Sequence, residues 1–116
     1  MVFCKAGGKC RIMKNMKNCI EACTDCMIAC QECAAACIKE NDSDCALICL
    51  DCAEVCDMCA TFCTRQSSMA EKIMGICKAF CEACADYCKK YASLREHCKN
   101  CAEMCMRCAV ACKFAA

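Results

Sequence analysis

Residues 19–37 read CIEACTDCMIACQECAAAC, a stretch in which cysteine recurs at alternating steps of four and three. The alternation resumes at Cys45, Cys49, Cys52, Cys56, Cys59 and Cys63, again at Cys77, Cys81, Cys84 and Cys88, and again at Cys98, Cys101, Cys105, Cys108 and Cys112. Steps of three and four place successive residues on one face of a helix, as the a and d positions of a heptad do. Four blocks therefore predict four helices, each carrying a stripe of thiols. Non-cysteine residues extend the stripe at the block ends: Ile12 and Met16, Ala70 and Met74, Tyr91 and Leu94. Of the 23 cysteines, only Cys4 and Cys10 fall outside the four blocks.

The gaps between blocks carry helix-boundary chemistry. Asn41-Asp42-Ser43-Asp44 offers N-caps to the second block, while Ser68 with Glu71 and Ser93 with Glu96 have the S-x-x-E spacing of a capping box. These signals predict helices over 9–39, 43–65, 69–91 and 94–114. The domain reading is a short tail over 1–8 and one bundle over 9–116. Short connections force neighbouring helices antiparallel, so the expected fold is all-α, an up-down-up-down four-helix bundle with a cysteine-lined core. Alanines beside the seam, among them Ala29, Ala34, Ala53, Ala85 and Ala109, permit close helix approach. Acidic residues such as Glu21, Glu54 and Glu103 fall on the outer face.

Composition agrees. The chain has 116 residues, no proline and three glycines, so it holds one helical domain with few breakers. Net charge is +1, yet residues 1–18 carry Lys5, Lys9, Arg11, Lys14 and Lys17 with no acid. Such a basic arm is read as a solvated tail, and no nucleic acid partner is expected. The sequence has no stretch fit to span a bilayer and no apolar leader, which places it in the cytoplasm; an exported protein written in processed form would look the same.

Three uses of so many thiols compete. Disulfides need Cβ atoms about 3.8 Å apart, whereas i and i+4 neighbours on a helix stand about 5–6 Å apart, and the number of cysteines is odd. A purely structural core would use leucine, isoleucine or valine, which bury more apolar surface at each position. Metal binding remains. Ten C-x-x-x-C and seven C-x-x-C pairs interleave along one axis, which is a continuous tube of sulfur in place of isolated sites. A Zn(Cys)₄ unit keeps a net charge of −2, and a buried stack of them is costly. Cu(I) is soft, takes two or three bridging thiolates, and gives near neutrality at one metal per thiolate. The tube therefore points to many Cu(I) ions per chain.

Repeated C-x-x-x-C and C-x-x-C on four antiparallel helices, as in Cys19-Ile20-Glu21-Ala22-Cys23 and Cys98-Lys99-Asn100-Cys101, resemble the bacterial copper storage proteins. The likeness covers all four blocks. It implies storage of many Cu(I) ions by core cysteines, an open end bearing methionine or histidine, frequent oligomerisation and, for members lacking a signal peptide, a cytosolic location. This chain departs from the pattern in Cys4, Cys10 and the basic arm.

Candidate ligands are the 21 seam cysteines, with Cys10, Met16, Met74 and His97. One end of the bundle is expected to gather Met13, Met16, Cys19, Cys63, Met69, Met74 and Cys112. Thioethers there either catch Cu(I) reversibly or merely fill the bundle end. His97, the sole histidine, lies beside Cys98 at the other end, as a surface residue or a terminal ligand. Ile28, Leu47, Leu50 and Met58 lie off the seam, and on this ground a homo-oligomer is expected. With one histidine and no paired acid and base, the chain is not read as an enzyme. A metallothionein-like zinc buffer and a thiol redox protein are the alternatives. Copper donor or acceptor proteins are the other partners considered.

Overall fold

The computed structural model describes residues 11–115, with side chains from Met16 to Lys113. The tail over 1–8, Cys4, Cys10 and the side chain of Met13 lie outside that range. Four helices make up the fold: α1 (Arg11–Lys39), α2 (Ser43–Thr64), α3 (Ala70–Lys89) and α4 (Glu96–Ala115). Each packs against two neighbours, α1 on α2 and α4, and α3 on α2 and α4, while the diagonal pairs make no backbone approach. The result is an antiparallel square of helices around one axis.

The seam decides what fills that axis. All 21 block cysteines are buried, and Ala29, Ala34, Ala46, Ala53, Ala70, Ala85, Ala102 and Ala109 are buried beside them. Ile20, Met27, Ile48, Val55, Ile73 and Tyr87 pack against this cluster from its flanks. Among the described residues, no polar or charged side chain is buried. A core of thiols and methyl groups offers less apolar area than one of leucine, so the metal-free bundle rests on modest burial.

Turn chemistry agrees with the sequence at one boundary and departs from it at two. Asn41 adopts a left-handed φ of 59°, and the Asp42 N–H then reaches the Cys37 carbonyl at 2.8 Å, which ends α1 in a Schellman motif. Asp42 caps α2, its Oδ1 accepting from the Cys45 N–H at 3.1 Å. The box expected at Ser68 does not form: Met69 holds the N-cap position, and its N–H donates to Ser67 Oγ at 3.1 Å. The box expected at Ser93 is also displaced. The Tyr91 carbonyl accepts from Leu94 and Arg95 N–H groups at 3.0 and 2.8 Å, so a backbone acceptor supplants the serine and α4 begins two residues later than predicted. Residues 90–94 are consequently turn, and Leu94, expected on the seam, is 81% exposed.

Candidate metal-binding core

Heptad spacing on four antiparallel helices brings thiols to the axis in successive layers. From one end, Cys19 Sγ stands 3.2 Å from Cys112 Sγ, and Cys23 stands 3.5 Å from Cys108 and 3.9 Å from Cys77. Cys56 approaches Cys77 at 3.8 Å and Cys81 at 3.6 Å; Cys26 approaches Cys105 at 3.6 Å. Cys30 follows at 3.7 Å from both Cys101 and Cys105, and Cys49 at 3.9 Å from Cys84, Cys88 and Cys101. Helices too far apart along the diagonal to touch by backbone meet through sulfur, as Cys52 and Cys105 do at 4.0 Å. No break interrupts the path from Cys19 to Cys88.

These spacings suit thiolate coordination. Four sulfurs about 2.3 Å from one metal lie about 3.8 Å apart in a tetrahedron. Groups such as Cys19, Cys23, Cys59 and Cys112, or Cys30, Cys84, Cys101 and Cys105, have all their sulfurs within 4.8 Å of one another. Several groups share members; Cys23, for example, belongs to the first group and also to one with Cys77, Cys108 and Cys112. Shared sulfurs fit bridging between metals better than separate four-ligand sites. All 21 thiols are free, so the framework is not a disulfide ladder.

Charge then discriminates among metals. With no buried cation among the described residues, nothing in the core offsets a stack of −2 centres. Burial in this dry setting drives thiols toward the protonated form, pushing Cys45 and Cys98 up to about 12.

The two ends differ chemically. At the α1 N-terminal end, Met16 is 8% exposed and Met74 is wholly enclosed, so both continue the core, whereas Met69 is exposed. A cavity of about 220 Å³ opens there between Met16, Cys63 and Gln66. At the opposite end, His97 Nδ1 stands 3.2 Å from Cys33 Sγ and 3.6 Å from Cys98 Sγ, and Nε2 contacts both Glu40 oxygens at 3.0 and 3.1 Å. Burial pulls the imidazole down, but its bonds with Cys33 and Glu40 outweigh that and hold its pKa above the ordinary value. Glu40, Asp42 and Arg95 also gather at this end, none of them among the candidates drawn from the sequence alone. A signal was present: Glu40 lies three residues after Cys37 and Asp42 three before Cys45, each the next step of its seam.

A four-helix bundle with an unbroken thiol core and, among the described residues, no buried charge defines a class of protein, one suited to holding many soft monovalent metal ions. Residues 12–116 match the copper storage protein family, and the chain belongs to it. A cytosolic copper storage protein from Streptomyces lividans, carrying five coppers, is 33% identical, aligned over 90% of this chain and 93% of its own, with a TM-score of 0.85. The copper storage protein of that organism loaded with 10 copper equivalents is also 33% identical, over 98% and 91% of the two chains, with a TM-score of 0.86. Apo copper storage protein 3 from Bacillus subtilis is 36% identical over 86% and 97%, with a TM-score of 0.80. No curated protein matches the chain by sequence.

Proposed function

We propose that the protein takes up Cu(I) and stores many ions along its axis, with the 21 seam cysteines as ligands. The observation that carries this is a core of contiguous thiols without one buried charged group among the described residues. Each bound Cu(I) displaces about one thiol proton, so a filled tube of bridging thiolates stays close to neutral. Anaerobic loading with Cu(I) and, separately, with Zn(II), each followed by elemental analysis, tests the reading. It expects on the order of 20 Cu(I) per chain and far fewer Zn(II).

His97, Met16 and Met74 are terminal ligands in this proposal, closing opposite ends of the tube, and Cys10 adds a thiol beyond the seam. Storage needs no turnover, so the role is not enzymatic. A redox enzyme would need an exposed, activated thiolate, whereas the seam thiols are buried. The S. lividans relative is cytosolic, and we assign this chain to the same compartment, where a Cu(I) carrier supplies or withdraws the metal. Among the described residues, no helix is long and apolar enough to cross a membrane. Ile28, Leu47, Leu50 and Met58 are exposed as expected, and Ile76, Phe80 and Val110 expose apolar surface on α3 and α4 as well. A homo-oligomer formed through such faces is part of the proposal; sedimentation tests it.

A further inference from the structure

All four helix ends at the His97 end of the bundle are tied to one side chain. Arg95, in the turn before α4, donates from one guanidinium nitrogen to Asp42 Oδ2 at 2.7 Å. Its Nε lies 3.5 Å from Glu40 Oε1. The guanidinium also stacks over the Tyr91 ring, 4.7 Å from its centroid. Asp42 is the cap of α2, Glu40 follows the last residue of α1, and Tyr91 follows the last turn of α3.

Glu40 joins this clamp to the thiols. The same Oε1 that faces Arg95 lies 3.0 Å from His97 Nε2. An ionised carboxylate only accepts hydrogen bonds, so the Nε2 atom must carry the proton. In the neutral imidazole, Nδ1 is then an unprotonated acceptor, and it is the atom that faces Cys33 and Cys98. Glu40 is 41% exposed, so without a cation beside it the carboxylate is free to rotate into water.

We propose that Arg95 is a positioning residue for copper at this end: by pinning Glu40 against Nε2, it fixes the His97 tautomer that presents Nδ1 to the outermost thiols. Cu(I) arriving there meets a lone pair aimed at the Cys33–Cys98 layer, with no proton to displace from the imidazole. A carboxylate behind a metal-binding histidine is a recurring device for orienting the ring, and its loss typically weakens binding or activity 10- to 100-fold. Lysine cannot replace Arg95 fully, because a compact ammonium cannot hold two carboxylates and stack on a ring together.

This inference rests on the storage reading, and the test separates the two. Nitrogen-15 NMR of the apo protein, at a pH above the imidazole titration, reads the tautomer directly. The wild type is expected as Nε2–H, Arg95→Gln as a mixture, and Glu40→Gln, whose amide can donate, shifted toward Nδ1–H. In parallel, stopped-flow Cu(I) loading of Arg95→Gln should slow about tenfold, with Arg95→Lys intermediate and total copper content unchanged. A wild-type Nδ1–H tautomer overturns the proposal even if no variant folds. So does wild-type tautomer and loading rate in Arg95→Gln. A capacity of only a few ions in the wild type would instead overturn storage itself.

Discussion

Cys19 on α1 and Cys112 on α4 bring their sulfurs within 3.2 Å, the shortest thiol–thiol approach among the described residues. A disulfide needs about 2.05 Å between sulfurs, so a small rotation of either side chain would close the bond. Metal-free protein treated with a disulfide-forming oxidant should therefore cross-link this pair ahead of deeper ones such as Cys52 and Cys105, 4.0 Å apart. Peptide mapping by mass spectrometry checks the order. Prior loading with Cu(I) should suppress the reaction, since bound thiolates are no longer free to pair. Cross-linking first at the centre of the tube would count against this.

Capacity follows from charge. If sulfurs bridge, Cu(I) uptake continues to roughly one ion per seam thiol, on the order of 20 per chain. Proton release should rise with it, because buried thiols such as Cys45 and Cys98 begin protonated. Binding to the folded state alone also raises the melting temperature strongly. Saturation at five or fewer ions would point to isolated tetrahedral sites.

The centre of the core tolerates shape loss better than polarity. Cys105→Ala removes one sulfur from a fully buried position and leaves a small void, at a cost of about 1 kcal/mol. Cys105→Ser puts a hydroxyl among side chains that are thiols, poor hydrogen-bond partners, with a penalty of about 1–3 kcal/mol. Chemical denaturation of the apo proteins should rank serine below alanine in stability. Both variants should lose copper capacity by about one or two ions, because the Cys105 sulfur stands within 4.0 Å of Cys26 and Cys30 on α1 and Cys52 on α2.

Loading kinetics separate the two ends. Met16→Leu with Met74→Leu conserves volume in the enclosed end while removing thioethers that bind Cu(I) without losing a proton. His97→Ala removes the imidazole at the other. Each change should slow stopped-flow loading, and the three together should slow it more than either, with final copper content nearly unchanged. A methionine variant that loads at the wild-type rate would make that end a plug.

Two groups of the Arg95 network give opposite pH dependences in the apo protein. His97 is held above its ordinary value, despite burial, by Cys33 and Glu40. Its stabilising contribution is full below about pH 6.5, the unfolded value, and fades as pH rises through the folded one. Asp42 is held below the carboxylate range, mainly by Arg95. Its contribution is present above about pH 3.9 and is lost as pH falls through the folded value. Melting temperatures of wild type, His97→Ala and Asp42→Asn across pH check both signs. The histidine difference should shrink toward alkaline pH and the aspartate difference toward acid.

The alternation of three and four from Cys19 to Cys112 was enough to determine the helices and the burial of every block cysteine, because helical period is a local property, and the short connections between blocks set the antiparallel order. The chemistry of the core was equally legible, since a thiol keeps its softness wherever it is placed. What tertiary structure alone decided lies where helices end. Ser68 and Ser93 had the spacing of caps, but Ser67 and the Tyr91 carbonyl took the free N–H groups, a competition settled by chain direction in three dimensions. His97 read as a lone residue because its partners Cys33 and Glu40 are 64 and 57 positions away in sequence. Packing α4 against α1 brings those atoms together, and a hydrogen bond depends on distance in space, whatever the separation along the chain.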